Sequence, residues 1–427
     1  MLIRSVRSPH KLHVLFLEAG SGRGGSTTSL IYTLRYLNRE LFDPVVAFYF
    51  RNYGPDTDSI RALGIPVRFA SNRLEPSQFV PFRFLLGRTR RRWLRIPKIL
   101  ARLAVRWPLI ELPQLVGLLR IIRRYRINLV FLNNDVHYHV VGMLAARIMR
   151  APIVCHKAGG VGEGRRIKRF ITPWVNVFMA PSHPMEADQR SQNPGTRRLV
   201  TIPGGVDLDA FTPRTQESTA RAELGIAPGQ KVIGSVSRFH RGKGQRELIE
   251  ATALIVREYP QTVCLLVGDD ASPGAPLDHE LRARVAELGL EDNVRFAGWR
   301  SDVRDLLAIM DVFVHCPTSW IEALSVSLLE AMAMAKPSVV SINGGMTDAI
   351  IDGVTGFLVT PGDIGSMASK TLYLLRNPAV AEAFGRSARE LVERDFSSRA
   401  TTRRIEGLLY EVATGGRAQL QNALTRA

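Results

Sequence analysis

The feature that most restricts the fold is an alternation of short apolar runs with helical patterns, which occurs twice along the chain. Residues 12–17 read as a strand, followed by a glycine-rich loop containing Gly24 and Gly25 and by a helix over about 26–38. Further strands are expected at 45–50, 67–70, 129–133 and 153–155, with a helix over about 138–149 between the last two. The second half repeats the pattern, with strands expected at 231–237, 263–268, 294–297, 312–315 and 338–341. Helices over about 244–258, 280–288, 302–310 and 325–333 fall between them. Strand, loop, helix, strand is the signature of a parallel sheet covered by helices. The expected class is therefore α/β with two doubly wound units, and 427 residues suffice for two such cores. The join is expected near Ile202-Pro203-Gly204-Gly205-Val206-Asp207, where proline and paired glycines suit a hinge.

One stretch breaks the rhythm. Between 83 and 126 the chain carries thirteen Lys and Arg against one acid, Glu111, which supplies +12 of the net +18. Trp93, Ile96, Leu100, Leu103 and Trp107 form one helical stripe, with Arg88, Arg95, Arg102 and Arg106 on a neighbouring face. Pro97 and Pro108 divide the stretch into short helices. Such a segment suits an anionic membrane surface; the alternative is an amphipathic helix packed on its own domain with a solvated basic face. No nucleic-acid partner is expected, because the tryptophans lie on the apolar stripe and no recognised module is present. The N-terminus lacks the apolar core of a signal peptide, and no uncharged apolar run is long enough to span a bilayer. The expected location is cytoplasmic, peripheral on the inner face of the membrane. Cys155, Cys264 and Cys316 lie in or beside apolar runs without a CxxC pair, which reads as reduced core thiols.

Two motifs carry chemistry. In Ser237-Arg238-Phe239-His240-Arg241-Gly242-Lys243-Gly244 a strand gives way to a helix. A helix start offers free N–H groups and a positive dipole end, Arg238 can fork onto phosphate oxygens, and Lys243 adds a point charge. Surface basic residues beside a turn are the plainer account of the same residues. The second motif places Glu322 and Glu330 eight positions apart, with Ser325 as the expected N-cap between them. Eight residues of helix separate two carboxylates by about 12 Å, whereas a retaining glycosidase needs about 5 Å. The spacing fits two ends of one extended ligand better than one scissile bond.

Taken together, Arg238 with Lys243-Gly244 and then Glu322 with Glu330 resemble the retaining GT-B glycosyltransferases of family 4. The segment 202–207 is similar to that family's interdomain segment, and Asn343-Gly344-Gly345 with Asp348 and 352–357 to its later glycine motifs. The resemblance covers nearly the whole chain. It implies two Rossmann-like domains facing each other across a cleft. Residues 1–203 would bind the acceptor and carry a basic insertion at about 73–112, and 204–395 would bind the nucleotide sugar. Residues 396–427 would form a C-terminal helix packing back towards the first domain, and a tail. The resemblance also implies roles. Arg238 and Lys243 would hold the donor diphosphate, Glu330 the ribose hydroxyls and Glu322 the transferred sugar. Backbone groups of Leu324, Ser325 and Val326 would approach the phosphates. Gly24 and Gly25 would admit phosphate and acceptor, and His156 would lie near the acceptor, with His137 and His139 as competitors. Gly204, Asp348, Ala323 and Ser325 depart from the usual family residues, which bears on donor-sugar preference more than on reaction type.

The implied activity is metal-independent, cofactor-free transfer with retention, from a nucleotide-diphosphate sugar to a lipid-linked or glycan acceptor. Three alternatives stay open: a soluble transferase acting on a sugar or sugar phosphate, a GT-B nucleotide-sugar epimerase, and a non-catalytic nucleotide-sugar-binding protein.

Overall fold

The structure is a computed structural model that describes residues 11–19, 24–51, 55–71, 107–157, 170–192, 195–213, 219–270, 274–319 and 321–415. The chain forms two compact units, the first comprising residues 1–180, 188–201 and 402–427, the second 181–187 and 202–401. The basic stripe of residues 93–103 lies outside the described residues.

Unit 1 is built on β1 (Leu12–Glu18), α1 (Gly25–Tyr36), β2 (Phe42–Phe48), β3 (Val67–Phe69), α2 (Leu112–Arg124), β4 (Leu129–Asn133), α3 (Val140–Ile148), β5 (Ile153–His156), β6 (Val177–Ala180) and β7 (Leu199–Thr201). All seven strands are parallel, in the order β3-β2-β1-β4-β5-β6-β7. Apolar side chains cover both faces, so the strands read as near-continuous runs: Val14 to Leu17 and Leu129 to Leu132 are all buried. The second strand starts earlier than its apolar run, with Pro44 inside it. The register allows this. Val46, two residues on, donates to Pro66 O at 3.0 Å. The nitrogen of Pro44 therefore points the same way, past the start of β3, and no ladder bond is lost.

Unit 2 contains β8 (Lys231–Val236), α4 (Gln245–Glu258), β9 (Thr262–Val267), β10 (Val294–Gly298), β11 (Val312–His315), α5 (Val326–Ala333), β12 (Ser338–Ser341), β13 (Phe357–Val359), α6 (Ile364–Arg376) and α7 (Pro378–Asp395). Its parallel order is β10-β9-β8-β11-β12-β13. Helices α4 and α6 bury Leu248, Ile249, Ile255, Met367, Leu372 and Leu375 in the core of this unit.

One assignment differs from a division at 203/204. Residues 181–187 belong to unit 2, where Ser182 Oγ donates to Ala323 O at 2.6 Å and His183 N donates to Asp348 Oδ2 at 2.7 Å. The last helix, α8 (Ser398–Thr414), starts in unit 2 and passes into unit 1 at Thr402. There Glu406 accepts from Asn38 N, and Glu411 takes both Arg198 NH groups at 2.9–3.0 Å. The three cysteines are free and buried.

Candidate active site

Both sheets reverse strand order beside their first strand, between β1 and β4 and between β8 and β11. Loops leaving adjacent strands in opposite directions open a crevice at the carboxyl ends, which is where α/β sheets bind ligands. The residues singled out from the sequence fall at these two places.

In unit 2 the loop after β8 holds Arg238 and Lys243. Gln245 fixes its course by donating from Nε2 to Ser237 Oγ (2.9 Å) and Arg238 O (3.0 Å). Gly244 caps α4 at φ 86°, and a Cβ there would stand 2.0 Å from Cys316 O. Only glycine fits, because the conformation is left-handed and the β11 exit loop touches its backbone. The closeness brings the two loops together, and Thr318 N donates to Gly242 O at 2.9 Å.

Glu322 follows β11. Lys243 Nζ donates to its Oε1, and His315 Nε2 lies 3.4 Å from the same oxygen. Glu322 is 8% exposed. Burial pushes its carboxyl upward, but the Lys243 charge and His315 outweigh this and hold it down to about 2. The Glu322 backbone is pinned as well: its N–H donates to Asn343 Oδ1 (3.1 Å) and its carbonyl accepts from Gly345 N (2.9 Å). Ser325 is the N-cap of α5, accepting from Leu328 N at 3.3 Å, so Glu330 lies inside the helix and is buried. Leu324 and Val326 flank the cap, half-buried, and Arg238 is exposed. Arg238, Lys243, Glu322, Leu324, Ser325, Val326 and Glu330 thus share one end of the unit 2 sheet. The N-termini of α4 and α5, whose first N–H groups have no carbonyl within their own helix to bond, begin at that end.

His315, Asn343, Gln245 and Ser182 were not expected there. His315 carried a signal, since a polar residue ending an apolar strand stands at the carboxyl edge of a parallel sheet. Among the described residues, no three His, Cys, Asp or Glu side chains converge as a metal site.

In unit 1, Gly24 is the N-cap of α1, the first helix after β1 among the described residues, and Gly25 is its first residue. His156 ends β5, with Nδ1 3.2 Å from Asn133 Oδ1 and Nε2 buried without a hydrogen-bond partner among the described residues. His139 has both ring nitrogens engaged, by Tyr49 OH and Asn133 O at 3.1 Å each. Among the described residues the His137 nitrogens have no hydrogen-bond partner, and Nδ1 lies 3.6 Å from Asp135 Oδ1.

Two parallel, doubly wound units with candidate residues at both switch points define the GT-B class of transferase folds. Sequence comparison gives the family within it. The family model described as Glycosyltransferase Family 4 matches residues 23–210, and the one described as Glycosyl transferases group 1 matches residues 216–391. The chain belongs to glycosyltransferase family 4. It is 28% identical over 244 residues, 57% of its length, to the N-acetyl-alpha-D-glucosaminyl L-malate synthase of Bacillus anthracis, and spans 62% of that relative's length, under two thirds. It is 23% identical over 318 residues to the UDP-Gal:alpha-D-GlcNAc-diphosphoundecaprenol alpha-1,3-galactosyltransferase of Escherichia coli, covering 71% of this chain and 80% of that one. The fold matches Anabaena HepE in complex with UDP and glucose at a TM-score of 0.78 and 24% identity, covering 94% of this chain and all of that one.

Proposed function

We propose that this chain is a retaining, metal-independent glycosyltransferase that moves a sugar from a nucleotide-diphosphate sugar to a hydroxyl of a membrane-associated glycolipid or polysaccharide-precursor acceptor. The observation that carries the donor half is the Lys243–Glu322 pair, set between the N-termini of α4 and α5. Cations and helix N-termini together supply the positive field that a departing nucleoside diphosphate needs, without requiring a metal. Lys243 and exposed Arg238 take the phosphates, Glu322 the transferred sugar and Glu330 the ribose hydroxyls. The backbone of Leu324 to Val326 approaches the phosphates, and Gly24 and Gly25 leave room beside the donor and acceptor. Uridine nucleotides are the first donors to test, since the galactosyltransferase relative is named for UDP-Gal and the HepE structure contains UDP.

Glu330→Ala checks the donor assignment. A charged hydrogen-bond partner is worth about 1.5–3 kcal/mol, so the donor KM rises about 10- to 100-fold with kcat much less affected. An unchanged KM removes Glu330 from the site.

The acceptor half rests on the basic first unit. Beside β3 a groove of about 610 Å³ is lined by Arg68, Arg120 and Arg124 together with Leu112 and Val116. Trp107, Leu109 and Leu112 are exposed at or beside it. Apolar residues among arginines match an anionic leaflet, where each cation contributes about 1 kcal/mol. Among the described residues no helix is long and apolar enough to cross a membrane. The purified chain is expected to sediment with anionic phospholipid vesicles at low salt and to be released at high salt. Indifference to such vesicles leaves the soluble-acceptor reading in its place.

A further inference from the structure

Unit 1 holds a buried polar chain at its switch point. Glu18, Asn133 and His156 end β1, β4 and β5, three strands that lie side by side. Their side chains are buried, at 0%, 1% and 6% exposure. The Glu18 carboxylate accepts from Asn133 Nδ2 and, at 2.7 Å, from Asn134 Nδ2. Asn133 Nδ2 also donates to Ser26 O at 3.1 Å. A carbonyl oxygen can only accept, so this end of the Asn133 amide must be the NH₂ group and Oδ1 must point at His156. His156 Nδ1, 3.2 Å away, therefore carries the ring hydrogen. Burial holds the imidazole down to about 4, so it is neutral around pH 7 and its lone pair sits on Nε2.

A second contact holds Asn133 from behind. His139 Nε2 lies 3.1 Å from Asn133 O and so carries the hydrogen, which leaves Nδ1 to accept from Tyr49 OH at 3.1 Å. Burial raises the Tyr49 hydroxyl well above its ordinary range, which keeps that proton in place. Asn134 is held at φ 115°, a left-handed conformation costly for a residue other than glycine. There it reaches Glu18 while its N–H donates to His156 O at 3.1 Å. Strain at a polar cluster on the carboxyl edge of a sheet is found where geometry serves a ligand. His156 Nε2, buried and without a hydrogen-bond partner among the described residues, is the atom to which this order leads. His137 lacks such a partner too, but no group fixes which of its nitrogens bears the hydrogen.

We infer that Glu18, Asn133 and His139 are positioning residues that lock His156 in the Nδ1–H tautomer and so present Nε2 as the acceptor for a hydroxyl of the bound substrate. That the hydroxyl belongs to a sugar or glycan rests on the transferase reading; the tautomer does not.

The test is the imidazole nitrogen spectrum of the full-length ¹⁵N-labelled protein, with the His156 signals assigned by their loss in His156→Gln. The wild type is expected to show His156 as Nδ1–H, although free imidazole side chains favour Nε2–H. Asn133→Ala shifts it to Nε2–H or a mixture and lowers kcat about 10- to 100-fold, with donor KM changed less than about threefold. Asn133→Leu keeps the side-chain volume without the Oδ1 acceptor and loses the Nδ1–H signal as Asn133→Ala does, which separates positioning from loss of packing. His156 found as Nε2–H in an active wild type overturns the inference, as does an unchanged tautomer and kcat in Asn133→Ala. The expected tautomers in a chain that turns over no nucleotide sugar support the positioning and count against the transferase reading instead.

Discussion

Lys243→Met lowers kcat/KM for donor turnover about 10²- to 10³-fold, the usual loss when one preorganised charge is removed from where a leaving group develops its own. The same substitution destabilises unit 2, because Glu322 is left in a nearly closed setting without its main counter-charge. Breaking a buried pair by removing one partner costs about 3–5 kcal/mol, and the lower end applies where His315 Nε2 stays 3.4 Å away. The pH dependence separates the two effects. In the wild type Glu322 is held down from 4.5 to about 2. A depressed carboxyl contributes stability that is complete above about pH 4.5 and is lost as pH falls towards 2. The shift is worth on the order of 3 kcal/mol. Without Lys243 the burial that pushes the carboxyl upward is opposed by His315 alone. The gap in Tm between wild type and Lys243→Met is therefore wide at pH 7 and closes as the pH falls from 4.5 towards 2. Thermal unfolding across that range, beside initial rates at pH 7, measures both. A pH-independent gap in Tm removes the ion pair from the explanation.

Gly244→Ala is the second substitution with a large effect. A residue with a Cβ at φ 86° incurs about 1–2 kcal/mol of strain. Here the new Cβ also meets Cys316 O at 2.0 Å, a distance that forces the backbone to move. The total is about 3–5 kcal/mol, at the upper end for single substitutions. Any fold that survives has shifted the N-terminus of α4 away from the β11 exit loop, so donor binding is lost as well. Gly229→Ala is the control: its φ is 84° with nothing within 4 Å of the new Cβ, so it carries the strain alone and keeps the donor site. Calorimetric donor titration and thermal unfolding of the two variants isolate the steric contribution. Equal losses in both mean that the approach to Cys316 O is not what holds the loops together.

The two-unit α/β pattern was legible because parallel strands buried on both faces are written as apolar runs, as in residues 12–17 and 129–133. Three strands were missed, Val177–Ala180, Leu199–Thr201 and Phe357–Val359; each is too short for a periodic signal, and the equally short Val67–Phe69 was expected from its place in the alternation of strands and helices. The two chemical motifs were also legible, each as a local spacing. Their union in one site was implied by the family resemblance alone, and the direct Lys243–Glu322 contact, across 79 positions of sequence, was not expected. Asn343, in a glycine pair's loop, gave no sign that it would hold the Glu322 backbone. Ser182 had even less to show, since nothing local to residue 182 marks it as bonded to Ala323. In unit 1 the histidine ending β5 was visible, but the proton order that Glu18 and Asn133 impose on it depends on strands 115 residues apart in sequence.

The central claim is that the carboxyl edge of the unit 2 sheet holds a nucleotide-diphosphate sugar and releases its nucleotide. The most direct measurement is nucleoside diphosphate release by the purified chain across a panel of nucleotide sugars supplied with a membrane lipid extract. The same panel is run on Lys243→Met and Glu330→Ala. The expected result is release with at least one donor, a glycosylated product of matching mass with the anomeric configuration retained, and loss of both with Lys243→Met. Release that is equal in the wild type and both variants, or a donor converted to its epimer with no acceptor consumed, contradicts the account.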